Sequence, residues 1–157
     1  MSHQVIYLGW DPGTKGAIAA VTEKLEPIDC IRFQQSTIPE IVEWIEGLGG
    51  NSEVPADFRL RAMIERVASR PGQGVSSTFK FGATYGIAQG VLTALHVPWQ
   101  LVQPKKWQEG LGVAGLEPKE RKKALKGVAQ QIYPDQPIVA ENADAWLIAR
   151  HAAKSWG

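Results

Sequence analysis

The sequence predicts an α/β fold, a mixed five-stranded sheet flanked by helices. Three observations lead there. Five short segments are rich in β-branched and aromatic residues. Turn chemistry bounds them. The first three follow one another closely, as in an antiparallel meander, and the last two alternate with segments of helical period. The 157-residue length and 44% hydrophobic content suit one domain, taken as residues 1–157, with a core of its own. That length is too short for a two-lobed sugar kinase or a full TIM barrel.

The elements are justified in chain order. VIYLGW (5–10) reads as a buried strand. DPGTKG follows, where Pro12 fixes φ and Gly13 and Gly16 permit a tight turn. Residues 16–22 and 28–33 read as the next two strands. Thr37 is placed as an N-cap with Pro39 in the first turn, and Ile38, Ile41, Val42, Ile45 and Leu48 recur at helical spacing until Gly49-Gly50 ends the helix. Residues 51–58 read as a polar loop, AMIERV (62–67) as the fourth strand and SRPGQGVSS (69–77) as a flexible loop. A long helix is expected over about 76–95, a fifth strand over 98–103 and helices near 117–132 and 141–155.

Composition narrows the function classes. A single cysteine, Cys30, excludes an internal disulfide framework and a cysteine-based zinc site, and fits a reducing compartment. No apolar run reaches the roughly 18 residues of a membrane span, and no signal peptide is visible, so a cytoplasmic location is expected. Net charge is only +1, but residues 1–58 are acidic while residues 59–130 are basic. A basic middle attracts polyanions whatever the net charge.

Four acidic residues are the candidates for chemistry. Asp11 ends the first strand and enters the glycine-rich turn. Glu65 shares a strand face with Met63 and Val67 by period two. Glu141 and Asp144 stand three apart on an expected helix and would project from one face. Such carboxylates repel one another, and a divalent cation relieves the repulsion. Two Mg²⁺ ions about 3.5–4 Å apart are a known arrangement for in-line attack at a phosphodiester. Singly, each acid has a structural reading too: a turn residue, a partner for Arg61 or Arg66, or a helix-start acid.

Gly82, Gly86 and Gly90 form a stripe on the long helix. Each glycine costs a helix about 1 kcal/mol relative to alanine, so another backbone is expected to come close. Packing on the protein's own sheet and a dimer seam are the two readings. The basic residues fall in two groups: Lys105 and Lys106 beside Trp107, and Lys119, Lys122, Lys123 and Lys126, which share a helix face. Trp107 is either core or a stacking platform for bases. Trp10, Trp44, Trp99 and Trp146 are expected in the core.

GWDPGTKGAIA (9–19), MIERV (63–67), TFKFGATYGIAQGVL (78–92) and ENADAWLIARHA (141–152) resemble, in order and spacing, the RuvC-type Holliday junction resolvases, including phage and chloroplast members. The resemblance implies an RNase H-like fold and a homodimer that cleaves four-way DNA junctions with Mg²⁺, or Mn²⁺ in its place. It places catalytic and metal-holding roles on Asp11, Glu65, Glu141 and Asp144. The family often has aspartate where Glu141 stands. Lysines of the two basic regions would contact DNA phosphates, here Lys106 and Lys122 with Lys105, Lys119 and Lys123. Lys15 in the turn approaches a phosphate, and Arg66 and Arg70 lie where the family's junction-opening elements sit. The resemblance supports Gly82, Gly86 and Gly90 as the dimer seam. His151 is read as structural or peripheral. The alternatives are another RNase H-like nuclease, acting on branched DNA or RNA–DNA hybrids, and a non-catalytic junction-binding module.

Overall fold

A computed structural model of the chain describes residues 4–48, 55–68 and 71–157. Strands β1 (Ile6–Asp11), β2 (Ala17–Thr22) and β3 (Pro27–Arg32) form the antiparallel meander. Strands β4 (Leu60–Glu65) and β5 (Trp99–Val102) add in parallel to β1, giving the order β3-β2-β1-β4-β5. The five-stranded mixed sheet matches the expectation. Its helices are α1 (Ile38–Gly47), α2 (Ala56–Arg59), α3 (Val75–Ala94), α4 (Pro104–Trp107), α5 (Pro118–Ile132) and α6 (Ala143–Ser155).

Period-two alternation along the strands divides the core between the two sheet faces. Leu8, Trp10, Ile18, Ala62 and Ile64 point to one face, with Ile41 and Ile45 of α1 and Ala88 and Leu92 of α3. Ala17, Ala19, Val21, Met63 and Val102 point to the other, against α5 and α6. The two edges are blunted. β3 starts at a proline and its register with β2 shifts at Ala20/Val21, while β5 has only four residues.

Most boundaries fall within one or two residues of the expected ones, and the differences have local causes. Thr37 closes a full capping box: its hydroxyl accepts from Glu40 N and its own N–H donates to the Glu40 carboxylate at 2.6 Å. The stretch expected as a polar loop holds α2, and β4 therefore starts at Leu60 rather than Ala62. α3 starts at Val75, inside the expected flexible loop, and Pro104 initiates a short α4 too brief for a periodic signal. Gly49, Gly50, residues 51–54 and Arg70 lie outside the described residues. Among the described residues no helix is long and apolar enough to cross a membrane.

The tightest contact is between β1 and α6. A Cβ built on Gly9 would lie 2.2 Å from Ala149 N and 2.3 Å from Ala145 O. Those atoms are helix backbone, which cannot step aside as a flexible side chain does. Only a glycine lets α6 settle on the strand at this point. Gly9→Ala is therefore expected to cost at least about 3 kcal/mol of folding stability. Gly127, inside α5, has no described atom within 4 Å of such a Cβ apart from the adjoining backbone of its own helix. Gly127→Ala should instead stabilise by about 0.5–1 kcal/mol. Urea denaturation of both variants checks the contrast, and a mild Gly9→Ala would contradict the close approach.

Candidate functional site

The site is built on one row of residues that crosses the sheet. Arg32 pairs with Ala17, Ala17 with Asp11, and Glu65 with Val102. Because Trp10 pairs with Ile64, the next residues along, Asp11 and Glu65, end adjacent parallel strands side by side. Neighbouring strands lie about 4.8 Å apart. Both carboxylates lie on the α6 face, in phase with Gly9 and Met63. This edge holds the carboxyl ends of β1, β4 and β5, where ligand sites of open α/β sheets form.

The α6 contact at Gly9 sets the third acid. Asp144 precedes Ala145, whose carbonyl touches Gly9, and so stands at the end of β1 next to Asp11. The electrostatics agree. Burial pushes the Asp144 carboxyl up to about 7; the Asp11 charge adds to the rise and Lys122 opposes it. Burial also raises Asp11, against the Gly13 N–H that donates to Oδ1 at 3.1 Å and the same Lys122. Two poorly solvated carboxylates thus share one lysine as their counter-charge, an arrangement that favours a further cation.

Glu65 is held from below. The Trp107 indole N–H donates to its Oε2 at 2.8 Å, and Trp107 is only 2% exposed. Trp107 is therefore core and not a base-stacking platform, and it is a positioning residue that the sequence left unresolved. Trp10 and Trp146 are core as expected, whereas Trp44 and Trp99 are half-buried with indoles bonded to Asp29 and Thr93.

Glu141 requires a correction. It does not share a helix with Asp144: α6 starts at Ala143, and Glu141 sits in the preceding turn. Buried Asn142 builds that turn, accepting from Val139 N at 2.9 Å and donating to Pro137 O at 3.0 Å. The Glu141 carboxylate lies 3.9 Å from the Arg32 guanidinium at the other end of the row. Arg32, which sequence reasoning passed over, buries an Nε that has no hydrogen-bond partner among the described residues. An arginine at a strand end gives no signal until the strand register is known.

The donor chemistry suits Mg²⁺, which takes oxygen ligands, keeps several waters and is commonly held by only one or two carboxylates together with substrate phosphates. The Asp11–Asp144 pair meets that need with Glu65 alongside. Among the described residues no group of three or more His, Cys, Asp or Glu side chains is drawn together closely enough to enclose an ion.

The basic residues distribute around this edge. Lys15 is exposed in the turn after β1, and Arg66 follows Glu65 directly. Lys105 and Lys106 are exposed on α4, with Lys106 3.6 Å from Glu109. Lys119, Lys122 and Lys123 are exposed on α5, and Lys122 lies on the same side as buried Leu125 and Ala129, one and two turns before them. Lys122 is the one whose charge reaches the carboxylates. His151 lies farther along α6, in a hollow of about 300 Å³ beside Trp107.

The glycine stripe of α3 does not pack on the sheet. Apart from the adjoining backbone of α3 itself, no described atom lies within 4 Å of a Cβ built on Gly82, Gly86 or Gly90. Val75 and Phe79, 89% and 78% exposed, extend the same outward face. The internal-packing reading is thus set aside.

No protein-family model matches the chain, and no curated protein matches it either. Among solved structures it is similar to Thermus thermophilus RuvC in complex with a Holliday junction substrate, at 15% identity, over 95% of this chain and 93% of that one, with a TM-score of 0.65. A second Thermus thermophilus RuvC structure matches at 20% identity over the same shares, with a TM-score of 0.54. The chain has the RuvC-type, RNase H-like fold.

The raised Asp144 value fixes the sign of a pH effect. The folded chain keeps a proton that the unfolded chain releases near pH 4, so this group's contribution to stability falls as pH rises from about 4 to about 7. In EDTA, Asp144→Asn should match the wild type at pH 4.5 and exceed it by on the order of 1–3 kcal/mol at pH 8, allowing for partial exposure. Urea titrations at the two pH values test this; a variant less stable at pH 8 would contradict the repulsion.

Proposed function

We propose that this chain is a metal-dependent, structure-selective DNA endonuclease that resolves four-way junctions. The observation that supports it most is the Asp11–Asp144 pair, poorly solvated, beside Glu65 at the carboxyl edge of a RuvC-type sheet. Its relative in that fold was solved with a Holliday junction substrate. A structural acid pair would be expected to find donors or a salt bridge within the fold. Here, among the described residues, Asp11 takes a backbone N–H from Gly13, and Lys122 acts on both carboxylates as a counter-charge.

In this reading Asp11, Glu65 and Asp144 hold divalent magnesium, with manganese able to substitute. When bound, the metal supplies Lewis-acid activation of water and stabilisation of the leaving oxygen at a phosphodiester. Trp107 keeps the Glu65 carboxylate aimed at the edge by occupying one of its oxygens. Gly13 N–H does the same for Asp11. Lys122 balances the two poorly solvated carboxylates and would turn to a DNA phosphate when a cation takes over that task. Glu141 stands at the rim, where Arg32 restrains its longer side chain, so its share in holding metal is the smallest of the four. Lys15, Arg66, Lys105, Lys106, Lys119 and Lys123 add the phosphate contacts that supply sequence-independent affinity.

A resolvase needs two cuts on opposite strands, and two-fold symmetry places one site on each. The outward face of α3, from Val75 and Phe79 through Gly82, Gly86 and Gly90, is the surface we assign to that dimer. Its apolar residues are unusually exposed for a monomer, and its glycines let a second backbone approach closely.

Asp11→Asn should lose metal-dependent cleavage by at least about a hundredfold while binding a four-way junction as well as the wild type, since only a ligand charge is removed. Gel-resolved cleavage and binding of the same junction decide it; wild-type nicking by the variant sinks the assignment. Gly86→Leu should remain folded yet sediment as a monomer, turning paired cuts into uncoordinated nicks. A Gly86→Leu protein that still sediments as a dimer contradicts the α3 seam and leaves the nuclease reading standing.

A further inference from the structure

Helix α6 turns one face to the sheet, where Ala145, Ala149 and Ala152 are buried. Leu147, Arg150, His151 and Lys154, spaced i, i+3, i+4 and i+7, share another side of the helix. That side borders the hollow of about 300 Å³ whose opposite wall is α4 and the turn after it. Trp107, Leu111 and Leu147 give the hollow an apolar wall, while Lys106 and Glu109 face it from the α4 side. No role above uses Arg150, His151 or Lys154.

The charges in this hollow do not balance. Lys106, Arg150 and Lys154 stand against one carboxylate, Glu109, which lies 3.6 Å from Lys106. Among the described residues Arg150 and Lys154 form no salt bridge. The positive excess is felt by His151. Burial holds its pKa below the ordinary imidazole value, Lys106 and Lys154 hold it down further, and Glu109 opposes them. Lysines from two separate elements therefore direct their fields at one ring. Like charges around a partly enclosed space repel one another, and a bound anion relieves the repulsion. A phosphate group suits this set: its oxygens accept from several directions, arginine engages two of them side by side, and lysine supplies a point charge. The apolar wall suits the organic part of a phosphate ester, and the volume is at the small end of the range for ligand pockets.

We propose that the hollow between α4 and α6 binds the phosphate group of a free small molecule, a phosphate monoester or diphosphate, through Arg150, His151 and Lys154. A hollow with an apolar wall takes one phosphate group at a time, whereas a nucleic-acid backbone presents a continuous row of them. The place is separate from the acidic edge, because His151 stands two turns of α6 beyond Asp144, about 10 Å along the helix axis. The inference does not depend on the nuclease reading. The two places share one residue, Trp107, whose ring lines the hollow and whose N–H holds Glu65.

The test follows side-chain NMR signals of the full chain in EDTA, with inorganic phosphate and pyrophosphate as probes and chloride exchanged to keep ionic strength constant. The His151 ring and the Trp107 indole N–H should shift together and saturate, with a Kd below about 1 mM for at least one probe. The ring of His96, just after α3, should stay still. In saturating probe the midpoint of the His151 titration should rise, because an anion favours the charged ring. Arg150→Gln and Lys154→Gln remove charges from a half-buried and an exposed position, and each should weaken binding by at least about fivefold. Lys24→Gln removes a charge from the exposed turn after β2 and should leave binding unchanged. Shifts that never saturate, or that both Gln variants on α6 retain in full, reduce the hollow to a screened basic surface and overturn the inference. Signals that ignore both probes yet move with a four-way junction assign the hollow to the DNA backbone and overturn it as well. None of these outcomes bears on cleavage at the acidic edge, which Asp11→Asn decides.

Discussion

The seating of α6 on Gly9 is the constraint from which the rest of the site follows. Strand β1 is central in the sheet, and its one glycine faces the helix backbone at Ala145 and Ala149. Two residues on, the strand delivers Asp11; one residue before the contact, the helix delivers Asp144. A side chain at position 9 would lift the helix by more than an ångström and separate the carboxylates. The small residues of α6 serve the same approach: Ala145, Ala149 and Ala152 are fully buried against the sheet. Packing here fixes electrostatics, since the same burial that seats the helix withholds water from the two acids.

A second dependence runs through Trp107. Its indole is part of the α5–α6 core, and its N–H reaches out of that core to Glu65. The Glu65 carboxylate is thereby tied to a rigid body and not left to its own rotamers. Second-layer contacts of this kind orient groups that hold metals or substrates. α4 has a purpose despite its single turn, because it carries Trp107 inward and Lys105 and Lys106 outward.

Much of this was legible in the sequence, for physical reasons that differ by residue. Asp11 and Glu65 show because an acid that interrupts an apolar strand is costly unless used. The five strands show because their β-branched runs are bounded by turn residues. Glu141 was placed on a helix with Asp144 because i, i+3 spacing suggests a shared face. The helix start depends instead on the Asn142 side chain, whose partners at Pro137 and Val139 no periodicity reveals. Trp107 stayed ambiguous because its partner is 42 residues away in sequence. Arg32 was invisible without the register that aligns it with Asp11. The glycines of α3 and Gly9 look alike in sequence, yet one set faces open space and the other meets a helix. Only the packing distinguishes them.

The blunted sheet edges have a consequence for assembly. An extended strand edge can recruit any other strand, in any number of copies, because its backbone donors and acceptors repeat without end. Pro27 removes a donor from one border of this sheet, the register shift disrupts the same border, and the other border is four residues long. Open-ended stacking is thereby suppressed. In the dimer we propose, the contact is instead the side of α3, a surface that one partner saturates, so growth would stop at a closed pair.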